Sequence, residues 1–298
     1  MTLEEFGQKV MKALGERLGA DIHMNLQNVT KPDGAVHTGI RIGRADEVIS
    51  PILYLDRAYE EYINSGEREE LFAEIVGHLL EVYQGAVQGL AEEERTEDYW
   101  GFEAWKEQIV YRLVPTRENL IAEDVPRIPF QDLSIVFYGY QKLTKEKCCT
   151  FLIGKSCMEQ WNVDVSELYR RASVNTPRLF PAKICTLWEL LGLPPFQDSP
   201  DQTAEPFYII TSESAMYGAA VLLYEGVLRS LAEKLGADLV LIPASVHEWV
   251  AIPYEAGMNI DSIREMVCQV NTGQVPAEEQ LSDQVYRYSR EQDRVEVV

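Results

Sequence analysis

The stretch from Leu239 to Val270, LVLIPASVHEWVAIPYEAGMNIDSIREMVCQV, constrains the fold more than any other part of the chain. Leu239 to Pro243 reads as an apolar strand, and Trp249 to Pro253 as a second one. Between them lies a short polar corner, Ala244-Ser245-Val246-His247-Glu248, and a helix opens at Asp261. Strands this apolar are covered on both faces. The two strands therefore belong to the core, and the ionisable groups of the pair collect at its bend.

That corner holds the residue types of a hydrolase triad: Ser245, His247 and Glu248. In extended backbone Ser245 and His247 share a face, while Glu248 points the other way. The Gly-x-Ser-x-Gly turn of a nucleophile elbow is absent. The corner is thus expected to be a hairpin bend whose Ser and His satisfy loop backbone groups. Catalysis by His247 with Ser245 or Glu248 is the alternative.

The middle of the chain echoes this unit. LSIVFYGY, CTFLIGKS and WNVDVSELYRRASVNTP match LVLIPASV, EWVAIPY and MNIDSIREMVCQVNTGQ as strand, strand and helix. Asp164 and Asp261 suit helix starts, where a carboxylate accepts from free N–H groups. Asn175 and Asn271 suit helix ends, because Asn tolerates the left-handed conformation. Pro177 is expected to stop the first of these helices. Capping is the plain reading of both asparagines, and ligand binding is the other.

Elsewhere the spacing predicts a helix from Thr2 to about Leu18 with a Thr2/Glu5 capping box. Alternating strands about Ile22–Gln27 and Val36–Ile42 follow, joined by a turn at Pro32-Asp33-Gly34. His23 and His37 fall on the polar phase of this hairpin and read as solvated. A short helix is expected from about Asp56, closed by Ser65-Gly66, and a longer one from about Glu67 to Gln88, the latter with His78 in its packing stripe beside Glu74. Another is expected around Phe102, Trp105, Ile109 and Leu113, with Thr96 as its cap, and one at Ala219–Leu235 closed by Gly236. Pro194 to Pro206 is rich in Pro and Asp and reads as a linker. The expected fold is α+β: a helical N-terminal part with a hairpin over residues 1–124, then residues 125–298 with two related strand-strand-helix units.

Charge narrows the function classes. With 48 acidic and 27 basic residues the net charge is −21, which opposes direct binding to nucleic acid and to anionic membranes. An acidic mimic of nucleic acid is a further possibility, but the acids are spread along helix faces, with one short block at Glu92–Glu94. No apolar run is long enough to span a bilayer, and MTLEEFGQKV lacks the order of a signal peptide. A cytoplasmic setting is expected. The five cysteines, 148, 149, 157, 185 and 268, form no CxxC pair, so they read as reduced, mostly buried thiols, with no metal site and no cofactor. Phosphate-cradling glycine motifs are missing.

Several phrases carry a family resemblance: SPILYLDRAYEEYINSG (50–66), VPRIPFQDLSIVFY (125–138), NTPRLFPA (175–182), GAAVLLYEGVL (218–228), LIPASVHEW (241–249) and MVCQVNTGQV through LSDQVYRYSRE (266–291). They resemble an uncharacterised bacterial family, mostly clostridial, known as domain-of-unknown-function family 5688. The middle block, with Trp161 and Asn175, is also similar to another uncharacterised family of Bacillus type. The first family has Pro-Ser-Ser-hydrophobic-His-Glu at the corner, where Ala244 here replaces the first Ser. Where it has Leu-Thr-Asn, this chain has Ile210-Thr211-Ser212. The resemblance implies a shared fold and names no reaction. A non-catalytic binding module with a protein partner is the expected function, ahead of the hydrolase and the mimic.

Overall fold

A computed structural model of the chain describes residues 1–19, 22–30, 36–43, 51–91, 101–116, 124–142, 148–186, 189, 207–277 and 279–298. The turn at Pro32–Gly34, the acidic block at Glu92–Glu94, Thr96 and the linker at 194–206 lie outside the described residues. Two compact units emerge, the first built on residues 1–99 with two short later segments. The second is built on Trp100–Glu118, Ala122–Tyr140 and Thr150–Val298. Helices and antiparallel sheets mix along the chain, so the fold is α+β.

In the first unit, helix α1 (Leu3–Gly15) opens on the expected capping box. Thr2 Oγ1 accepts from Glu5 N–H at 3.2 Å, and Thr2 N–H donates to Glu5 Oε2 at 2.7 Å. Phe6, Val10 and Leu14 form its buried face. The hairpin of β1 (His23–Thr30) and β2 (Val36–Gly43) gains a third strand, β3 (Ile52–Tyr54), too short to show a period in the sequence. Helices α2 (Asp56–Asn64) and α3 (Glu69–Ala91) complete the core with Tyr62, Phe72 and Val76.

Of the two hairpin histidines, His23 is exposed as the spacing expects, and His37 is not. His23 pairs with Gly43 and His37 with Val29, so they sit at opposite ends of the hairpin. His37 is half-buried rather than solvated, its Nδ1 3.4 Å from Asp56 Oδ2. The buried stripe of α3 runs through Phe72, Ile75, Val76, Leu79 and Tyr83, which leaves His78 and Glu74 exposed. A window rich in Leu and Val fits two neighbouring stripes equally well, and packing against α1 selects one.

The second unit contains two sheets. Strands β4 (Ile109–Pro115), β5 (Arg127–Phe130), β6 (Leu133–Lys142) and β7 (Cys148–Leu152) form one, in the order β4-β6-β5 with β7 also on β6. The expected helix through Leu113 is wrong beyond its first turn. Only α4 (Phe102–Trp105) is helical, and Ile109 to Pro115 is a strand buried along its whole length. Ile, Val and Tyr prefer a pleated surface, and an unbroken apolar run mimics helical spacing by chance. Helices α5 (Lys155–Trp161) and α6 (Val165–Leu179) follow β7. Pro177 does not stop α6, which runs two residues further. Proline lacks the N–H that would bond the carbonyl four residues back, and α6 closes within one turn of it.

The other sheet takes β8 (Ala182–Thr186) and β9 (Tyr208–Ser212) as one flank. Its centre is the pair β10 (Leu239–Ser245) and β11 (Glu248–Pro253), and β12 (Tyr286–Ser289) and β13 (Arg294–Val297) make the other flank. The order is β13-β12-β10-β11-β9-β8. Val240 and Ile242 pack against Val267 of helix α8 (Ile260–Gly273). Leu241, Trp249 and Tyr286 fall on the opposite face, as strand alternation requires. The helix expected at Ala219–Leu235 is split into a 3-10 helix (Gly218–Leu223) and α7 (Val227–Leu235), with Gly226 at φ 75 between them. Gly236 closes α7 at φ 69, a conformation that glycine adopts without a Cβ penalty.

The described cysteines are all free thiols. Cys185 is buried and Cys157 half-buried, but Cys148 and Cys268 are exposed, which corrects the expectation of mostly buried thiols. Burial pushes the Cys157 thiol up to about 11. No described helix is long and apolar enough to cross a membrane. Among the described residues no group of three or more His, Cys, Asp and Glu is placed to hold a metal ion.

Candidate functional site

The corner is a tight hairpin bend. Ser245 pairs with Glu248, leaving Val246 and His247 as the connecting residues. Each of their backbone groups has a partner in the second unit. Val246 N–H donates to Glu279 O at 2.8 Å, and Ala219 N–H donates to Val246 O at 3.3 Å. Thr211 Oγ1 donates to His247 O at 2.8 Å, and His247 N–H donates to Ser245 Oγ at 3.0 Å. The Ser245 hydroxyl therefore turns to its own loop.

His247 acts on a different segment. Its Nδ1 accepts from the backbone N–H of Tyr217 at 3.0 Å, so the neutral ring carries its proton on Nε2. Among the described residues no hydrogen bond joins the His247 ring to Ser245 Oγ or to Glu248. The three residues named from the sequence share one bend without forming a relay.

The Tyr217 backbone is left-handed, at φ 49, two residues after Ala215 at φ 54. Such conformations are uncommon outside glycine, and here the His247 bond and the neighbouring Gly218 hold one in place. Gly218 packs against His247 O, Thr211 Oγ1 and the Ser212 nitrogen, where a Cβ would come within 3.0 Å of each.

The result is that the Tyr217 ring covers Arg112. The Arg112 guanidinium carbon lies 3.4 Å from the Tyr217 ring centre and 3.8 Å from that of Tyr138. Two rings that close cannot share one face of a guanidinium without overlapping, so they lie on opposite faces. Arg112 sits in β4 opposite Val136 of β6, one step along the same face from Tyr138. It is 8% exposed. Among the described residues, no carboxylate pairs with it and no oxygen accepts from it. The sequence offered one signal for this residue, a lone charge inside the apolar run IVYRLVP, and none for Tyr217.

Asn175 and Asn271 are near helix ends but cap neither helix; Phe180 and Gln274 hold those positions. Both are buried, and both use the side-chain amide to hold a neighbouring segment. Asn175 Nδ2 donates to Lys106 O at 2.8 Å and Ile109 O at 3.0 Å, fixing the entry to β4. Asn271 Nδ2 donates to Ser282 O at 3.0 Å and Asp283 Oδ1 at 2.7 Å, on the approach to β12. A buried carbonyl stripped of its donor is costly. Asn175→Ala is therefore expected to lower stability by about 2 kcal/mol. Asn175→Asp should cost at least as much, because an ionised carboxylate only accepts. Urea unfolding midpoints of the three proteins check this.

An open cleft of about 1180 Å³ lies beside α5 and α6, lined by Val125, Arg127, Lys155, Asn162, Asp164 and Glu167 among others. Hydrogen bonds from Arg170 and Arg171 hold the Glu167 carboxyl down at about 2. Paired charges of both signs on its wall give this cleft no selective field. Arg112, by contrast, meets two tyrosine rings and has no carboxylate partner among the described residues.

No curated protein and no solved structure matches the chain. A family model does, over residues 3–290, nearly the whole length. The chain belongs to this family, the family of unknown function DUF5688.

Proposed function

We propose that this protein is a binding module without chemistry of its own. The observation that carries the reading is the bond from Tyr217 N–H to His247 Nδ1. A general base must receive the proton of its nucleophile, and here the ring's free lone pair already serves a backbone donor. Ser245 Oγ accepts from the loop. The same bonds weigh against the hydrolase reading.

The reading extends to a protein partner and a cytoplasmic setting, supported by the net charge of −21, which disfavours phosphate-rich surfaces. It also takes the two strand-strand-helix units as related, supported by the matching roles of Asn175 and Asn271. The test compares the wild type with His247→Ala on activated ester and phosphoester substrates. No turnover above buffer is expected from either protein. Turnover by the wild type that vanishes in a folded His247→Ala variant overturns the reading.

A further inference from the structure

We propose that Arg112 anchors an oxyanion site, taking a carboxylate or phosphate group on the N–H edge of its guanidinium between the rings of Tyr138 and Tyr217. This deepens the binding reading by naming the chemistry of a ligand, and it rests on that reading for its biological sense.

Three observations converge on it. First, among the described residues this is a buried cation with no anion. The chain has 48 carboxylate residues against 27 basic ones, and Arg57, Arg170, Arg171, Arg229, Arg264, Arg287, Arg290 and Arg294 all reach one. Those pairs lie at the surface. Arg112 is 8% exposed, and among the described residues it has no such partner. A desolvated charge without a counter-charge is unfavourable, and nothing in the folding of β4 requires Arg between Tyr111 and Leu113.

Second, the two rings dictate how an anion must approach. Tyrosine faces are electron-rich and offset part of the missing hydration, but they close off both faces of the guanidinium. What stays open is the edge, where its donors lie in one plane. None of its nitrogens is both buried and unpartnered, and with no acceptor among the described residues they reach the surface. A planar fork of donors matches two oxygens of a carboxylate or phosphate, and lysine cannot imitate that geometry.

Third, the cover is built rather than incidental. Tyr217 stands in a left-handed conformation held from behind by His247 and beside Gly218. His247 is thus a positioning residue: it acts on the ligand only through Tyr217. This gives the Ser245-His247 corner a use that needs no catalysis.

The experiment follows the Nε–Hε NMR signal of Arg112 in the full-length protein, assigned by its loss in Arg112→Lys. Sodium phosphate and sodium acetate are titrated in turn, with sodium chloride at matched ionic strength as control. A saturable shift with phosphate or acetate, absent with chloride, is expected. Thermal stabilisation by the same anion should weaken by about tenfold in concentration or more in Arg112→Lys, which keeps the charge and loses the fork. His247→Ala should weaken it by a smaller factor, and His247→Asn, whose Oδ1 takes the position of Nδ1 and can still accept from Tyr217 N–H, should restore part of the loss. A shift that never saturates, one equal with chloride, or stabilisation unchanged in Arg112→Lys overturns the site. If Arg112→Lys fails to fold, the signal is assigned instead by through-bond correlation to the Arg112 backbone, and its titration in the wild type decides the matter. None of these outcomes touches the non-catalytic reading, which is decided by the turnover of His247→Ala.

Discussion

Trp249→Ala is expected to lower the unfolding free energy by about 3–5 kcal/mol, the range for removing a large aromatic side chain from a packed core. Trp249 is fully buried in β11, paired with Pro243 on one side and Ile210 on the other. Its ring meets Tyr286 of β12 edge-on, with centres 5.1 Å apart. Its Nε1–H donates to Ala219 O at 2.9 Å, tying the 3-10 helix to the sheet. The substitution therefore opens a cavity and orphans a carbonyl in the same place. Trp249→Phe separates the two effects: it keeps most of the ring and loses the donor, at a cost of about 1–3 kcal/mol. Urea midpoints give both numbers, and equal losses in the two variants would show that packing contributes little here.

The organising role of that strand pair was readable from its letters. Leu239 to Ile242 has no polar phase, so it had to be central, and β10 is flanked by β11 and β12. Caps were equally plain. Thr2, Asp164 and Gly236 behave as their types dictate, because a cap is a local event within four residues. Asp261 is a partial case: it lies in the first turn of α8, but Asn259 holds the cap.

What could not be read depends on contacts distant in sequence. Asn175 and Asn271 were credited with the local job of their residue type, yet each holds a segment that only the fold brings near. Residues 69 and 66 positions away supply the carbonyls for Asn175. Ile109 to Pro115 was misassigned because an apolar run has no period of its own, and pairing with β6 decided it. The setting of Arg112 was unreadable for the same reason, although the residue stands out as a lone charge in its apolar run. Within a helix it has no expected neighbours; in a strand it lies opposite Val136 and diagonal to Tyr138, and a loop about 100 residues later supplies Tyr217. The Ser245-His247-Glu248 corner was located correctly, while its bonding partners, Thr211, Tyr217 and Glu279, carry no mark in the sequence.

Gly218→Ala should be nearly as damaging as the tryptophan change, although it adds a single methyl group. The added Cβ would fall within 3.0 Å of His247 O, Thr211 Oγ1 and the Ser212 nitrogen. Two of these are backbone atoms held by strand pairing, in β9 and in the β10–β11 bend, and cannot rotate aside. Overpacking at a rigid site costs about 1–3 kcal/mol, and this site belongs at the upper end because three neighbours object together. The damage should also be local in a diagnostic way. Relief requires the 3-10 helix to move off the corner, which draws Tyr217 N–H away from His247 Nδ1 and shifts the ring over Arg112. Gly77→Ala is the control: nothing lies within 4 Å of a Cβ there, in the middle of α3. It should stabilise by up to about 1 kcal/mol through helix propensity. Opposite signs for two Gly-to-Ala changes in one protein, read from urea midpoints, would locate the cost at the corner rather than in glycine itself. A Gly218→Ala variant as stable as the wild type would mean that the corner is loose, and would remove the basis for a fixed Tyr217 above Arg112.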